Sequence, residues 1–404
     1  MTNPSLMQSR SKEFALQYPL LTALALSLGA AVSLGISRFS YALLLPPMRD
    51  DLGWSYLLAG AMNTANALGY LLGALMTPAL MRRYGAQTAL VGGSILTGVF
   101  MLLSGFVTDA DMLLLQRVLA GMASAFIFIA GGVLAARLGS LHARRAGFLI
   151  GLYYGGTGFG IALSAFLVPA TLAEAASRGA AHDWQWAWLA LGIGCLLATI
   201  AMAVPAGRIQ GAAVAGGARG HFRIRSFGYG LAGYFMFGVG YIGYMTFVIA
   251  LLKEQGMAAP VITLFYAALG LAVVASSRIW AGMLDRFKGG QSLAILNALL
   301  AFATLLPVLT AAPVAVFASG MLFGAVFLSV VASTTALVRH NLPPQAWSAG
   351  ISVFTTVFAF GQIVGPTIVG WISDTAGGLQ RGLVFSAVAL LLGAILGSRQ
   401  RALV

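Results

Sequence analysis

Residues 289–338 contain no Asp, Glu, Lys or Arg, and only Pro307 and Pro313 interrupt the run. A helix of about 20 apolar residues crosses a bilayer. The stretch is therefore read as two crossings joined by a tight turn at PVLTAAP. Residues 52–81, 84–108 and 226–252 are uncharged in the same way. Only 8% of the chain is charged, whereas a soluble domain carries about 25%. A water-soluble protein has nowhere to hide that much apolar surface, so the solvent this chain is built for is lipid.

Charges and turn residues then mark off twelve apolar segments, near 17–45, 55–80, 86–107, 111–136, 146–169, 186–205, 227–251, 260–283, 291–310, 313–338, 347–372 and 381–398. The fold class expected is an all-α integral membrane protein with twelve transmembrane helices in two six-helix pseudo-repeats. The first segment is long enough to span and no small-residue cleavage site follows it, so it is read as a helix and not a cleaved signal.

An even number of crossings puts both ends on one side. Arg10, Lys12, Arg82, Arg83, Arg144, Arg145, Arg286, Lys288, Arg399 and Arg401 all fall on that side, while the other holds only Arg49, Arg178, Lys253 and Arg381. Basic loops stay in the cytoplasm. The expectation is a multi-pass protein of the cytoplasmic (inner) membrane with both termini cytoplasmic. The net charge of +13 is thus a topology signal. It forms no dense basic patch interleaved with aromatics, so nucleic acid is excluded as a partner.

The Gly/Ala-rich, basic stretch 207–226 reads as a linker hugging anionic lipid. It separates an N-terminal bundle, 1–206, from a C-terminal bundle, 227–404. Shifting the sequence by about 203 residues superposes Gly35 on Gly238, Tyr41 on Tyr244, Arg83 on Arg286, Gly121 on Gly324 and Gly158 on Gly361. Parallel repeats of this kind are a known transporter plan.

Several motifs carry a family resemblance. GMLDRFKGG at 282–290 resembles the G-x-x-x-D-R-x-G signature of the major facilitator superfamily (MFS), which stands between the second and third helices of each half. Its first-half counterpart, LMRRYGAQ, has Arg82 where the family has Asp. LQRVLAGMASA resembles the family's R-x-x-x-G motif through Arg117 and Gly121. YYGGTGFGIALS stands at the place of the antiporter motif but lacks its proline; GQIVGPTIVG supplies Gly365 and Pro366 later in the chain. GISRFSYALLLPPMRDDLGW, WQWAWLALGIG and GYFMFGVGYIGYMTF resemble the YbfB/YjiJ branch. The resemblance implies a secondary transporter working by alternating access, with the first and fourth helices lining a central cavity. It leaves the substrate open.

Arg38 and Arg117 are the two arginines expected inside the spans. With the first helix ending near Pro46, Arg38 lies about 12 Å inside, and Arg117 about 9 Å past Asp111. A guanidinium in hydrocarbon costs at least about 2.5–3.5 kcal/mol, so it turns to water or a partner. Snorkelling to the headgroups is the competing reading for Arg38. For Arg117, a structural or coupling role stands beside substrate contact. All ten acidic residues fall in loops or near helix ends, and so do the four histidines. The two arginines then call for an anion from outside, held in bidentate geometry.

Asn63 and Asn66 share a helix face with Tyr70. Together with Tyr41, Tyr154, Tyr241, Tyr244 and Gln362, the two asparagines complete the expected substrate-binding set; interhelical hydrogen bonding is the alternative for the asparagines. Gly156 and Gly160, spaced G-x-x-x-G, are expected to let helices slide, as are Gly365 and Pro366. Arg82, Arg83, Asp285 and Arg286 are expected to gate the cytoplasmic side, the last two as a latch. With no acid or histidine in mid-membrane, protons ride on the substrate or on Asp50 or Asp111. The expected function is transport of a small organic anion by proton coupling or anion exchange, the alternative being efflux of hydrophobic or cationic compounds. No cluster of titratable or metal-ligating groups lies within the spans, so neither an enzyme nor a metal or cofactor is expected. The expected partners are substrate and lipid, the protein working as a monomer.

Overall fold

The computed structural model describes residues 17–209 and 223–403. Arg10, Lys12 and most of the basic linker lie outside the described residues. Within them the chain is helical, with no strand. In lipid every backbone group must be satisfied inside its own segment, and the helix does this.

The first span opens with α1 (Pro19–Ala30), continues as a π-helical segment (Ala31–Phe39) and resumes as α2 (Tyr41–Leu52). Then come α3 (Tyr56–Tyr84), α4 (Ala86–Ser104), α5 (Ala110–Leu141), α6 (Ala146–Ser177) and α7 (Asp183–Gly207). After the linker follow α8 (Gly228–Glu254), α9 (Ala259–Ile279), the short α10 (Ala281–Arg286), α11 (Gln291–Leu309), α12 (Pro313–Asn341), α13 (Trp347–Ser373) and α14 (Gly378–Arg399). Among the described residues, 11 helical stretches are long and apolar enough to cross a membrane, Pro19–Leu52 counting as one. The remaining long helix, α3, has 29 residues, and Asn63, Thr64, Asn66 and Tyr70 lower its hydropathy. Large apolar side chains such as Leu75, Leu197, Ile200, Leu271 and Trp371 are exposed, as a lipid-facing surface requires.

The first span is longer than expected. It runs through Pro46 and Pro47 to Leu52. Proline fixes φ near the helical value, and its cost is the lost bond to the carbonyl four residues back. The segment expected at 260–283 instead breaks at Trp280, whose indole N–H donates to the Ala325 carbonyl at 2.8 Å.

Contacts divide the chain into two compact units, Met1–Ser40 with Leu68–Ala215, and Tyr41–Ala67 with Gly216–Val404. In the first unit, glycines let backbones touch. A Cβ on Gly35 would sit 2.6 Å from the Thr157 carbonyl and 2.7 Å from Gly160 Cα. One on Gly156 would collide with the Ser27 carbonyl, and one on Gly69 with the Val118 carbonyl. In the second unit, α8 is buried along nearly its whole length. Gly238 meets Gly361, and Gly365 faces the Val239 carbonyl.

Gly69→Leu is expected to remove the α3–α5 approach, because the obstacle is backbone and cannot rotate away. Overpacking costs about 1–3 kcal/mol or more. Thermal unfolding in detergent should show a clearly lowered midpoint, whereas Gly92→Leu, at a position with open space, should leave it in place.

Candidate functional site: an unpaired guanidinium in a widened turn

A π turn holds more residues than an α turn and loosens the backbone bonding pattern, and such turns concentrate at functional sites. Here the segment's carbonyls are taken by side chains. Ser124 Oγ donates to the Ser33 carbonyl at 2.7 Å, while Ser33 Oγ donates to the Ser124 carbonyl at 2.8 Å. Ser40 Oγ donates to the Ile36 carbonyl at 2.5 Å. Arg117 Nη1 donates to the Ser37 carbonyl at 2.7 Å, and its guanidinium carbon lies 5.6 Å from the Trp188 ring. All these groups belong to the first unit.

Arg38 is the next residue. Only 2% of it is exposed, and its Nε and Nη2 are enclosed without any hydrogen-bond partner. The hydroxyls of Ser37 and Thr157 are likewise buried and unpartnered. Both arginines were expected to lack a counterpart. The structure separates them: Arg117 is held by a carbonyl and an aromatic face, while Arg38 is not. Since the helix continues to Leu52, its end is about 21 Å beyond Arg38, not 12 Å. The side chain is enclosed by the surrounding helices instead of reaching outward along the span.

The other expected binding residues are partly committed. In the second unit, Tyr41 donates to the Ala59 carbonyl at 2.8 Å and Asn63 Nδ2 to Thr246 Oγ1 at 2.8 Å. Tyr244 hydrogen-bonds Ser319 Oγ at 2.7 Å and stacks on Phe323 at 4.0 Å, with Ser319 bonded on to the Ala303 carbonyl. Tyr41 and Tyr244 thus work as interhelical fasteners here. Tyr241 donates to Gln362 Oε1 at 2.7 Å. Asn66 is buried. Tyr154 is part-exposed in the first unit and packs on Tyr153 and Phe128, ring centres 5.0 and 5.3 Å away.

Sequence reasoning missed an aromatic ladder in the second unit. Tyr234, Phe237, Tyr241 and Phe358 stack nearly parallel, with centres 4.7–5.6 Å apart, and Phe327 follows Tyr241 at 6.0 Å. The i, i+3, i+7 spacing of Tyr234, Phe237 and Tyr241 was the available signal.

The residues expected to form a cytoplasmic latch lie at a helix end. Asp285 and Arg286 end the short α10 and are exposed, and Arg286 lies over the neighbouring Phe287 ring at 5.9 Å. Among the described residues neither makes an ion pair. Arg82 and Arg83 are exposed in the last turn of α3. Of the two proton-coupling candidates, Asp50 pairs with Arg49 at 3.4 Å and Lys253 at 2.8 Å. Asp111 is exposed in the first turn of α5, where Asp109 accepts the cap bond from Met112 N at 2.9 Å. Among the described residues no group of three or more His, Cys, Asp and Glu is placed to hold a metal.

This helical scaffold is shared with solved membrane transporters. A bacterial homolog of the human lysosomal transporter Spinster, inward-facing and occupied, superposes with a TM-score of 0.75 at 16% identity, covering 95% of this chain and 97% of that one. The nucleoside transporter NupG gives 0.67 at 14% identity over 95% and 98%. At such identities the likeness concerns the fold. The protein is an MFS transporter, not an enzyme: it belongs to the family described as the uncharacterised MFS-type transporter YbfB, which matches residues 30–398. Among curated relatives, a protein of Agrobacterium vitis named as a tartrate transporter is 31% identical over 159 residues, 36% of this chain and 33% of its own. A chloramphenicol resistance protein of Streptomyces lividans is 27% identical over 189 residues, 46% of each chain. The chain thus aligns with less than half the length of these relatives.

Arg117→Gln is expected to leave the Ser37 carbonyl with a weaker donor and to lower stability by about 1–3 kcal/mol. Thermal unfolding checks this, and Ser124→Ala should cost less, about 1 kcal/mol for one neutral pair.

Proposed function

We propose that the protein is a secondary active transporter for a small organic anion, working by alternating access, and that Arg38 receives the anion. One observation carries the reading: a permanently charged side chain, nearly fully enclosed at mid-span, has two donor nitrogens with no acceptor. Leaving a buried charge uncompensated costs about 3–5 kcal/mol. A carboxylate supplied by the cargo would cancel most of that. In guanidinium geometry Nε–H and one Nη2–H point the same way, which matches two carboxylate oxygens. The Ser37 and Thr157 hydroxyls supply further donors nearby. The name of the Agrobacterium vitis relative, a tartrate transporter, fits an anionic cargo.

Further elements belong to the same proposal. The helix α3 crosses the membrane as a twelfth span, its polar residues turned inward. The two six-helix halves rock about the site, both termini face the cytoplasm, and the protein is a monomer in the inner membrane. Coupling is to protons or to exchange with a second anion. Arg117 serves by fixing the turn that carries Arg38. Tyr241, Gln362, Asn63 and Asn66 stand as orientation contacts.

A second reading is efflux of a flat hydrophobic compound. The stacked rings of Tyr234, Phe237, Tyr241 and Phe358 favour it, as does the name of the chloramphenicol resistance relative. It leaves Arg38 unexplained and is ranked second for that reason.

Arg38→Met is expected to abolish transport while raising thermal stability in the absence of ligand, because it removes an unpaired buried charge at similar volume; replacements of this kind gain about 1–4 kcal/mol. Arg38→Lys should not restore transport, since an ammonium lacks the fork. Thermal shifts against panels of carboxylic acids and amines read the substrate class. Stabilisation of the wild type by amines alone overturns the anion reading.

A further inference from the structure

The residues after α14 do not trail away from the second unit; they cross over it. Gln400 leaves the helix extended, at φ −75° and ψ 105°, and its carbonyl accepts from Gly290 N at 2.8 Å. Gly290 stands at the start of α11, and a helix start leaves N–H groups with no partner of their own. The crossing is this close because Gly289 and Gly290 carry no side chains. A Cβ on Gly289 would stand 2.9 Å from the Gln400 carbonyl and 3.1 Å from Ala402 N, and one on Gly290 would strike the Gly397 carbonyl. These two glycines close GMLDRFKGG, the signature stretch that also carries Asp285 and Arg286.

Two buried amide side chains hold the crossing in place. Gln400 is 4% exposed, and Asn341, at the end of α12, is 6% exposed. Gln400 Oε1 accepts from Gly230 N at 3.0 Å, while its Nε2 donates to the Ser226 carbonyl at 3.1 Å and the Arg401 carbonyl at 3.0 Å. Asn341 Oδ1 accepts from Leu403 N at 2.5 Å, while its Nδ2 donates to the Lys288 carbonyl at 2.7 Å and the Leu337 carbonyl at 2.8 Å. A primary amide offers two N–H donors and one carbonyl, and each is used here. A carboxylate would face carbonyl oxygens, and an apolar side chain would leave buried backbone groups unmet. A polar network satisfied in full is rigid and specific. All these residues lie in the second unit.

We propose that Gln400–Leu403 form a strap that fastens the α10–α11 turn, the start of α8 and the end of α12 into one mechanical piece. The bonds make a closed ring. Gln400 holds Gly290 by its carbonyl, the chain runs back from Gly290 to Lys288, Asn341 joins Lys288 to Leu403, and the strap returns to Gln400. Opening one bond of a ring loosens the others. The Gln400 side chain adds a branch to Ser226 and Gly230, where the linker passes into α8. A displacement of the linker's exit therefore reaches the signature turn through a single residue, whose side chain holds the one and whose carbonyl holds the other. The turn that carries Asp285 and Arg286 is positioned by this strap.

Amide hydrogen exchange on the full chain in lipid nanodiscs, resolved to single amides, tests this, because exchange reads local opening. Leu403→Pro deletes one N–H at a position 44% exposed. It should speed exchange at Gly290 and Gly230, neither of which Leu403 touches in the ring, by about three- to tenfold, the equivalent of one net hydrogen bond. Asn341→Leu should do the same. Gln400→Met should speed exchange at Leu403, to which its side chain is not bonded. Amides of α5 and α6, in the first unit, should exchange as in the wild type. The thermal midpoint of the Gln400→Met, Asn341→Leu double variant should fall by less than the sum of the two single shifts, as members of one network do. Faster exchange confined to the amide bonded to the substituted group overturns the proposal, and so do additive midpoints. Should Asn341→Leu fail to fold, Leu403→Pro and Gln400→Met still decide. No substrate is present, so the outcome is separate from the fate of the Arg38 reading.

Discussion

Hydrocarbon offers no hydrogen bonds, and in this chain two arginines meet that constraint in opposite ways. Arg117 finds an acceptor because the π-helical segment presents the Ser37 carbonyl to it. In a regular helix that oxygen would be taken by a backbone N–H four residues on. The same segment then carries Arg38 one residue further, with two nitrogens unmet. The widened turn thus satisfies one cation and exposes the need of the other. A carboxylate from the protein beside Arg38 would have stabilised the fold more. It would also have filled the place that an anionic cargo needs.

The widened turn is held from two sides. Gly35, Gly156 and Gly160 let α6 press its backbone against the first span, leaving no room for a side chain between them. The reciprocal Ser33–Ser124 bonds pin the opposite side to α5. Each neutral bond of this kind is worth about 0.5–1.5 kcal/mol net. Together with the charge-assisted Arg117 bond they can offset the loss of regular helical bonding over a short stretch. Small residues grant proximity and hydroxyls spend it on the backbone, which is how membrane bundles are fastened generally.

Much of this was legible in the sequence, and what was illegible has a physical reason. Uncharged runs gave the helices, because burying a charge in lipid costs more than any local propensity supplies. Arg38 and Arg117 stood out for the same reason. The π segment did not, since its stability comes from Ser124 and Arg117, far away in the chain. Pro46 and Pro47 suggested an end where the helix in fact continues, because proline breaks one bond and not the helical φ. Tyr41 and Tyr244 stood in the expected binding set. Their hydroxyls are spent on Ala59 and Ser319, and a sequence shows the face of a helix but not what stands opposite.

The division into units adds a consequence for Arg38. The chain leaves the first compact unit between Ser40 and Tyr41, two residues after the guanidinium, and returns to it between Ala67 and Leu68. The π segment ends at Phe39, so the irregular turn and the crossing point nearly coincide. A π turn and an α turn hold different numbers of residues, and exchanging one for the other re-aims every side chain beyond the change. A rigid α-helix through this point would transmit any displacement of Tyr41–Leu52 straight into α1. A loosened turn is softer there, and Arg38 stands in it with two nitrogens unmet. The placement of the irregularity therefore connects the electrostatics of Arg38 to the mechanics of the span that carries it.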